Sequence, residues 1–130
     1  SNELFVLDLN MSAWRQVKMT EQGWPEARYN HQAVVMKHKK RPVMVVFGGT
    51  NGTNSLNESL EFDLTTNTWV NVKVKGDIPE ARTGFAVAQL DTENVLIHGG
   101  SNAKENKEFS DVFILNTRHT SFKWNKVRCN

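Results

Sequence analysis

The sequence predicts an all-β chain built from repeated four-stranded antiparallel sheets, and three observations carry that expectation. Trp14, Trp69 and Trp124 stand 55 residues apart. The tetrapeptide Pro25-Glu26-Ala27-Arg28 returns 54 residues later as Pro79-Glu80-Ala81-Arg82. Between these landmarks the apolar residues come in short bursts separated by turn formers, with no stripe at helical period, which is the pattern of strands. A period near fifty is that of a propeller or another repeat array, in which each unit buries its apolar surface against its neighbours.

Within a repeat the bursts fall in a fixed order, called a to d. Strand a is the continuous apolar stretch at residues 31–36, with its counterpart at 85–90; such stretches suit a strand buried on both faces. Strand b, at 43–47 and 95–98, stops at a glycine pair, Gly48-Gly49 and Gly99-Gly100. Strand c alternates at 59–63 and is more apolar at 112–115. Strand d carries the tryptophan, at 69–72 and 124–127. The chain opens with c and d alone, so residues 1–19 read as a half unit, and 20–74 and 75–130 as two full units of one domain.

The recurring residue types have physical reasons. Paired glycines allow positive φ and let a backbone or bulky ring approach closely. They belong to no phosphate-binding pattern. Each tryptophan can cover roughly 150–250 Å² at the junction between adjacent sheets. Asp8, Asp63 and Asn116 open the c–d turns, where an Asx side chain can accept from backbone amides two residues on. Arg28 and Arg82 recur, as do Glu3, Glu58 and Asp111 just before strand c, and they are expected to form structural ion pairs.

As a set, these features resemble the kelch repeat: a double glycine after an apolar strand, a strand ending near Asp, a tryptophan about six residues later, then Pro-x-x-Arg. The resemblance covers essentially the whole chain. It departs at the usual tyrosine-like position of strand c, which is Phe62 in one repeat and Phe113 or Leu115 in the other. It departs again after Arg82, where Gly84-Phe85 replaces the Arg28-x-x-His31 pattern. What the resemblance implies is a β-propeller whose blades are four-stranded antiparallel sheets. Closure takes about four to eight blades, so two and a half make an incomplete propeller segment, part of a longer ring or one that self-associates through exposed blade edges.

Composition excludes several classes. At 38% apolar and 23% charged the chain is globular, and a net charge of +2 is too small to argue for nucleic acid. The basic run Lys37-His38-Lys39-Lys40-Arg41 lies between two strands and reads as a solvated hairpin tip. No apolar run approaches the roughly 18 residues of a membrane helix. The opening Ser1-Asn2-Glu3-Leu4 lacks the regions of a signal peptide. A single cysteine, Cys129, fits a reducing compartment, which points to the cytoplasm and leaves the nucleus and exterior open.

Function is expected on loops. Alternating strand direction puts the b–c loops (50–57 and 101–110) and the d–a loops (20–25 and 75–79) on one face. In kelch propellers of the ubiquitin-ligase adaptor type, the corresponding face binds peptides, so the resemblance implies a non-catalytic interaction module for a partner protein or peptide. The candidate contact residues are Trp24, Thr50, Asn51, Asn54, Asp77, Ser101 and Asn102. Trp24 aligns with Ile78 and could either pack on a blade rim or anchor a partner. Some kelch-type propellers are copper radical oxidases with a Tyr-Cys crosslink. This chain has one tyrosine, Tyr29, and its one cysteine stands at the far end, so no such site assembles within it. The four histidines lack metal-ligand spacing, and His98, in the slot held by Phe47 one repeat earlier, is expected in the core. No catalytic residue, cofactor or metal is therefore assigned; the alternative is a fragment of a kelch-type enzyme whose active site lies in other blades.

Overall fold

A computed structural model describes residues 1–20 and 23–128. Glu21 and Gln22 of the first d–a loop, and Cys129, lie outside the described residues. The described chain is all strand and turn. Its strands, in order, are β1 (Phe5–Asp8), β2 (Ala13–Gln16), β3 (Gln32–His38), β4 (Arg41–Phe47), β5 (Ser59–Asp63), β6 (Thr68–Val70), β7 (Val74–Gly76), β8 (Ala86–Gln89), β9 (Asn94–His98), β10 (Ser101–Asn102), β11 (Lys107–Glu108), β12 (Val112–Asn116) and β13 (Phe122–Lys126).

Three sheets follow the repeat. The antiparallel pair β1-β2 is the c–d half unit, and β3-β4-β5-β6 is a four-stranded antiparallel meander. The third sheet has the order β7-β13-β12-β9-β8. Its four antiparallel strands are the expected meander; its fifth, β7, comes from the preceding d–a linker and pairs in parallel along β13. The parallel strand was not anticipated, and the unit boundary read after residue 74 falls inside it. Gly76 (φ 88°) permits the pairing, because a Cβ there would lie 2.1 Å from the Trp124 carbonyl oxygen. The second b–c loop folds into the small hairpin β10-β11.

The core lies between the two full sheets. Phe47 of β4 meets Phe85 and Trp124 at ring-centroid distances of 5.4 and 4.8 Å, and Met36, Val43, Val45, Val95, Ile97, Phe113, Leu115 and Phe122 complete the cluster. The glycine pair earns its place here: a Cβ on Gly48 (φ 66°) would come within 2.8 Å of the Phe85 ring and of the Arg82 carbonyl. Burial of the repeated tryptophans is graded. Trp124 is 0% exposed, Trp69 is half-buried and Trp14 is 68% exposed, since only Trp124 has a full sheet on each side. His98 corrects the sequence reading: it is exposed, its Nδ1 3.1 Å from the Asp111 carbonyl, because no further sheet covers that face among the described residues. Strand a likewise alternates instead of burying both faces. It is the edge of its sheet, and Val35 and Leu90 are exposed.

The basic tip divides. His38 and Arg41 are register partners, so Lys39 (φ 51°) and Lys40 (φ 61°) form a two-residue turn with both residues left-handed. That is the geometry of a type I′ turn, which Asn-Gly satisfies and lysine does not. Each left-handed non-glycine residue costs about 1–2 kcal/mol. Changing Lys39-Lys40 to Asn-Gly is expected to raise stability by about 1–2 kcal/mol. A denaturation midpoint that stays put or falls would contradict it. His38, by contrast, is buried and not solvated; it packs against Phe122, with ring centroids 4.9 Å apart.

Candidate functional site

Two structural knots hold the loop face. Arg28 donates to Glu58 Oε2 at 2.6 Å and to the Gly48 carbonyl at 3.2 Å. One repeat on, Arg82 donates to Asp111 Oδ1 at 2.6 Å and to the Gly99 carbonyl at 3.0 Å. The expected ion pairs are therefore present in both full units, and each ties strand c to the glycine turn after strand b. Arg82 is fully buried, with its guanidinium 4.0 Å from the Phe109 ring centroid, so Phe109 tucks under its loop. The Arg82 hydrogen bonds hold the Asp111 carboxyl below its ordinary range, with burial opposing. Its folded pKa thus lies below the unfolded one, so this contribution is present above the unfolded value, near pH 4, and is lost as pH falls through the folded value. Asp111→Asn is expected to flatten the melting temperature against pH below about pH 4. An unchanged acid limb would refute that assignment.

Above these knots the first b–c loop is set by its own side chains. Asn51 Oδ1 accepts from the Thr53 and Asn54 amides at 2.9 and 2.8 Å, an Asx turn, while its amide donates to Glu26 at 3.1 Å. Thr50 Oγ1 donates to the Asn54 carbonyl at 2.9 Å and accepts from the Gly52 amide at 3.0 Å. The second loop is joined to the first by Lys104 Nζ, which donates to Asn54 Oδ1 at 2.6 Å. The backbone bridges Tyr29 to Thr50 and Thr83 to Ser101 seat both loops on the d–a segments.

Between the two loops lies a groove of about 270 Å³ lined by Tyr29, Asn30, Thr50, Gly52, Thr53, Ser55, Thr83, Ala103 and Lys104. The candidate residues distribute unevenly around it. Thr50 lines the groove, Asn54 is exposed at the Lys104 bridge, and exposed Asn51 and half-buried Ser101 occupy the two loops. Three candidates are committed elsewhere. Trp24 is half-buried, its ring 6.1 Å from Trp69 and its indole N–H donated to the Asn2 carbonyl at 2.7 Å. Asn102 is 5% exposed and caps its own hairpin, donating to the Ala81 carbonyl at 3.3 Å and accepting from the Glu105 amide at 3.3 Å. Asp77 accepts from the Lys126 amide at 3.0 Å and Arg128 at 3.2 Å, at the end of β13. Tyr29, 56% exposed, was not among the candidates. It follows the repeated Pro-Glu-Ala-Arg, and its counterpart is Thr83, so only its departure from the repeat marks it.

Repeated four-stranded meanders, with the b–c loops of successive sheets set side by side, define a propeller-blade scaffold. The chain belongs to the kelch-repeat family: the model described as the KLHDC2/KLHL20/DRC7 Kelch-repeats domain matches residues 1–130. It is similar to human Kelch domain-containing protein 10, 31% identical over 134 residues, covering 98% of this chain and 28% of that protein. It is also similar to Rho GTPase-activating protein gacHH of Dictyostelium discoideum, 30% identical over 107 residues, covering 82% of this chain and 7% of that protein. A third relative is Acyl-CoA-binding domain-containing protein 4 of Arabidopsis thaliana, 30% identical over 116 residues, covering 89% of this chain and 17% of that protein. The chain thus spans less than a third of the length of these relatives. Kelch repeats generally act as protein-interaction modules and are typically non-catalytic.

Proposed function

We propose that this chain is a recognition module that holds a partner protein or peptide in the groove between its two b–c loops, and that it works in the cytoplasm as a scaffold or adaptor. The observation that carries this reading is the exposed Tyr29 ring, set among hydroxyl and amide groups in a groove whose walls are fixed by Asx turns and the Lys104–Asn54 link. A rigid aromatic with surrounding adaptable hydrogen-bonding groups is a recurrent basis of peptide recognition. Thr50, Asn51, Asn54 and Ser101 are the polar contacts this reading assigns, and Trp24, Asp77 and Asn102 hold the frame around them.

The test is selection of peptides from a random display library against the immobilised chain, followed by titration of those enriched. Tyr29→Ala is expected to weaken them at least about tenfold, the loss typical of a hot-spot aromatic. Because Tyr29 is exposed, its melting temperature should stay within a degree or two of the parent chain. Peptides indifferent to Tyr29, or no enrichment at all, would sink the proposal.

A further inference from the structure

Two asparagines hold the same place in the two full units, two residues after the glycine pair, and each ties its b–c loop to a Pro-Glu-Ala-Arg segment. Asn102 donates to the Ala81 carbonyl at 3.3 Å, and Asn51 donates to Glu26 Oε2 at 3.1 Å. Their surroundings are opposite. Asn102 is 5% exposed and followed by alanine, and its Oδ1 accepts the Glu105 amide at 3.3 Å. Asn51 is exposed, and its Oδ1 accepts the Thr53 and Asn54 amides at the shorter distances of 2.9 and 2.8 Å. It is followed by Gly52, which makes the one Asn-Gly pair of the sequence.

A carboxamide side chain is open to attack by the backbone nitrogen that follows it when nothing shields that nitrogen. Glycine shields it least, and no heavy atom lies within 4 Å of where a Cβ on Gly52 (φ 98°) would stand. The two amides on Asn51 Oδ1 draw electrons from Cγ and are placed to stabilise the negative oxygen that attack creates. The Gly52 N–H donates to Thr50 Oγ1 at 3.0 Å, an exposed hydrogen bond that is given up as the proton leaves.

We propose that Asn51 is a self-modification site, with water as the co-reactant, and that its conversion unties the first b–c loop. Hydroxide takes the Gly52 amide proton, the nitrogen bonds to Asn51 Cγ and the Cγ–Nδ2 bond breaks. Ammonia leaves with a proton from water, which restores the hydroxide. Water then opens the cyclic imide at either carbonyl, leaving a side-chain carboxylate at position 51 or an isoaspartyl linkage. In both products the Nδ2 donor to Glu26 is gone. The side-chain carboxylate keeps the turn, because it accepts the Thr53 and Asn54 amides more strongly than the carboxamide does. Toward Glu26, however, it sets like charge against like charge. The isoaspartyl form adds a carbon to the main chain at the turn itself. The loop is thereby released from the segment that carries Tyr29. That this loosens the grip on a partner rests on the recognition proposed for the groove, whereas the chemistry and the release of the loop do not.

The folded chain is to be incubated at mildly alkaline pH and physiological temperature, then mapped by proteolysis and mass spectrometry. Conversion is expected at Asn51 ahead of every other asparagine, with Asn102 still an amide. Conversion at Asn51 that needs urea, or that another asparagine outruns, would overturn the proposal. Asn51→Asp supplies one product directly. Its expected effect is on backbone hydrogen exchange at Tyr29 and Thr50, whose amides and carbonyls pair at 2.9 Å where the loop is seated. Exchange there should quicken about fivefold or more. Adding Glu26→Gln, whose amide can donate to the new carboxylate, should restore it. Exchange unchanged by Asn51→Asp, or not restored by the second substitution, would refute the release of the loop. Neither measurement uses a partner, so both can fail while the peptide selection succeeds, and the reverse.

Discussion

Trp124→Ala is expected to cost about 3–5 kcal/mol, the loss typical of deleting a fully buried aromatic. The same change at Trp14 is expected to stay within about 0.5 kcal/mol. Both residues occupy the same place in the repeat, so the difference isolates environment from chemistry. Trp124 touches Phe47 and Phe113, donates its N–H to Ser59 and is 0% exposed; Trp14 is 68% exposed on a two-stranded sheet. Paired urea titrations of the two variants would decide it. Equal losses would mean that the junction between the full sheets contributes no more than a local strand does, and that the cluster around Phe47 is not the stabilising core.

Removing either partner of the His38–Glu61 pair is expected to cost about 3–5 kcal/mol, because the survivor is left buried without its counterpart. Both side chains are at most 2% exposed, with Nδ1 2.6 Å from Glu61 Oε2. Nε2 faces the His119 carbonyl at 2.9 Å, and a carbonyl only accepts, so Nε2 carries a proton. Glu61 Oε1 has no partner, which is a further cost the pair already carries. His38 and Glu61 belong to the four-stranded sheet and His119 to the next, so the pair links two units. Thr117 reinforces that link by donating to the Lys37 carbonyl at 2.8 Å. Glu61→Ala and His38→Ala should each lower the denaturation midpoint steeply, whereas His38→Phe with Glu61→Leu should recover most of the loss. A double variant as unstable as the singles would show that the pair contributes specific stability beyond filling space.

The sequence carried the local devices and missed those that depend on a neighbour. Asp8, Asp63 and Asn116 accept amides from their own turns, as at Asp63 Oδ1 and the Thr65 amide at 2.8 Å, a bond that needs only adjacent residues. The Arg28–Glu58 and Arg82–Asp111 pairs were legible because both partners recur at the repeat period. His98 was misjudged because its slot is a core position only when another sheet covers it. Repetition does not mark Tyr29, whose counterpart is Thr83, because the groove is lined where the repeats differ. Trp24 was left undecided because its contact, Trp69, lies 45 positions away and on another element. β7 gave no apolar alternation to read, since a three-residue parallel strand takes its identity from β13.

That short strand alters what counts as a separable piece of this chain. β7 leaves β6, seals the outer edge of the next sheet, and is fixed there at Gly76, beneath the Trp124 carbonyl. This linker is therefore also a lid on its successor. A graft or transposition that cuts after residue 76 would carry the second full sheet away with its outer strand bare, while one that cuts between residues 71 and 73 would move sheet and lid together. The separable piece that ends in β13 is thus offset from the repeat that the tryptophans mark, by the length of one connecting strand.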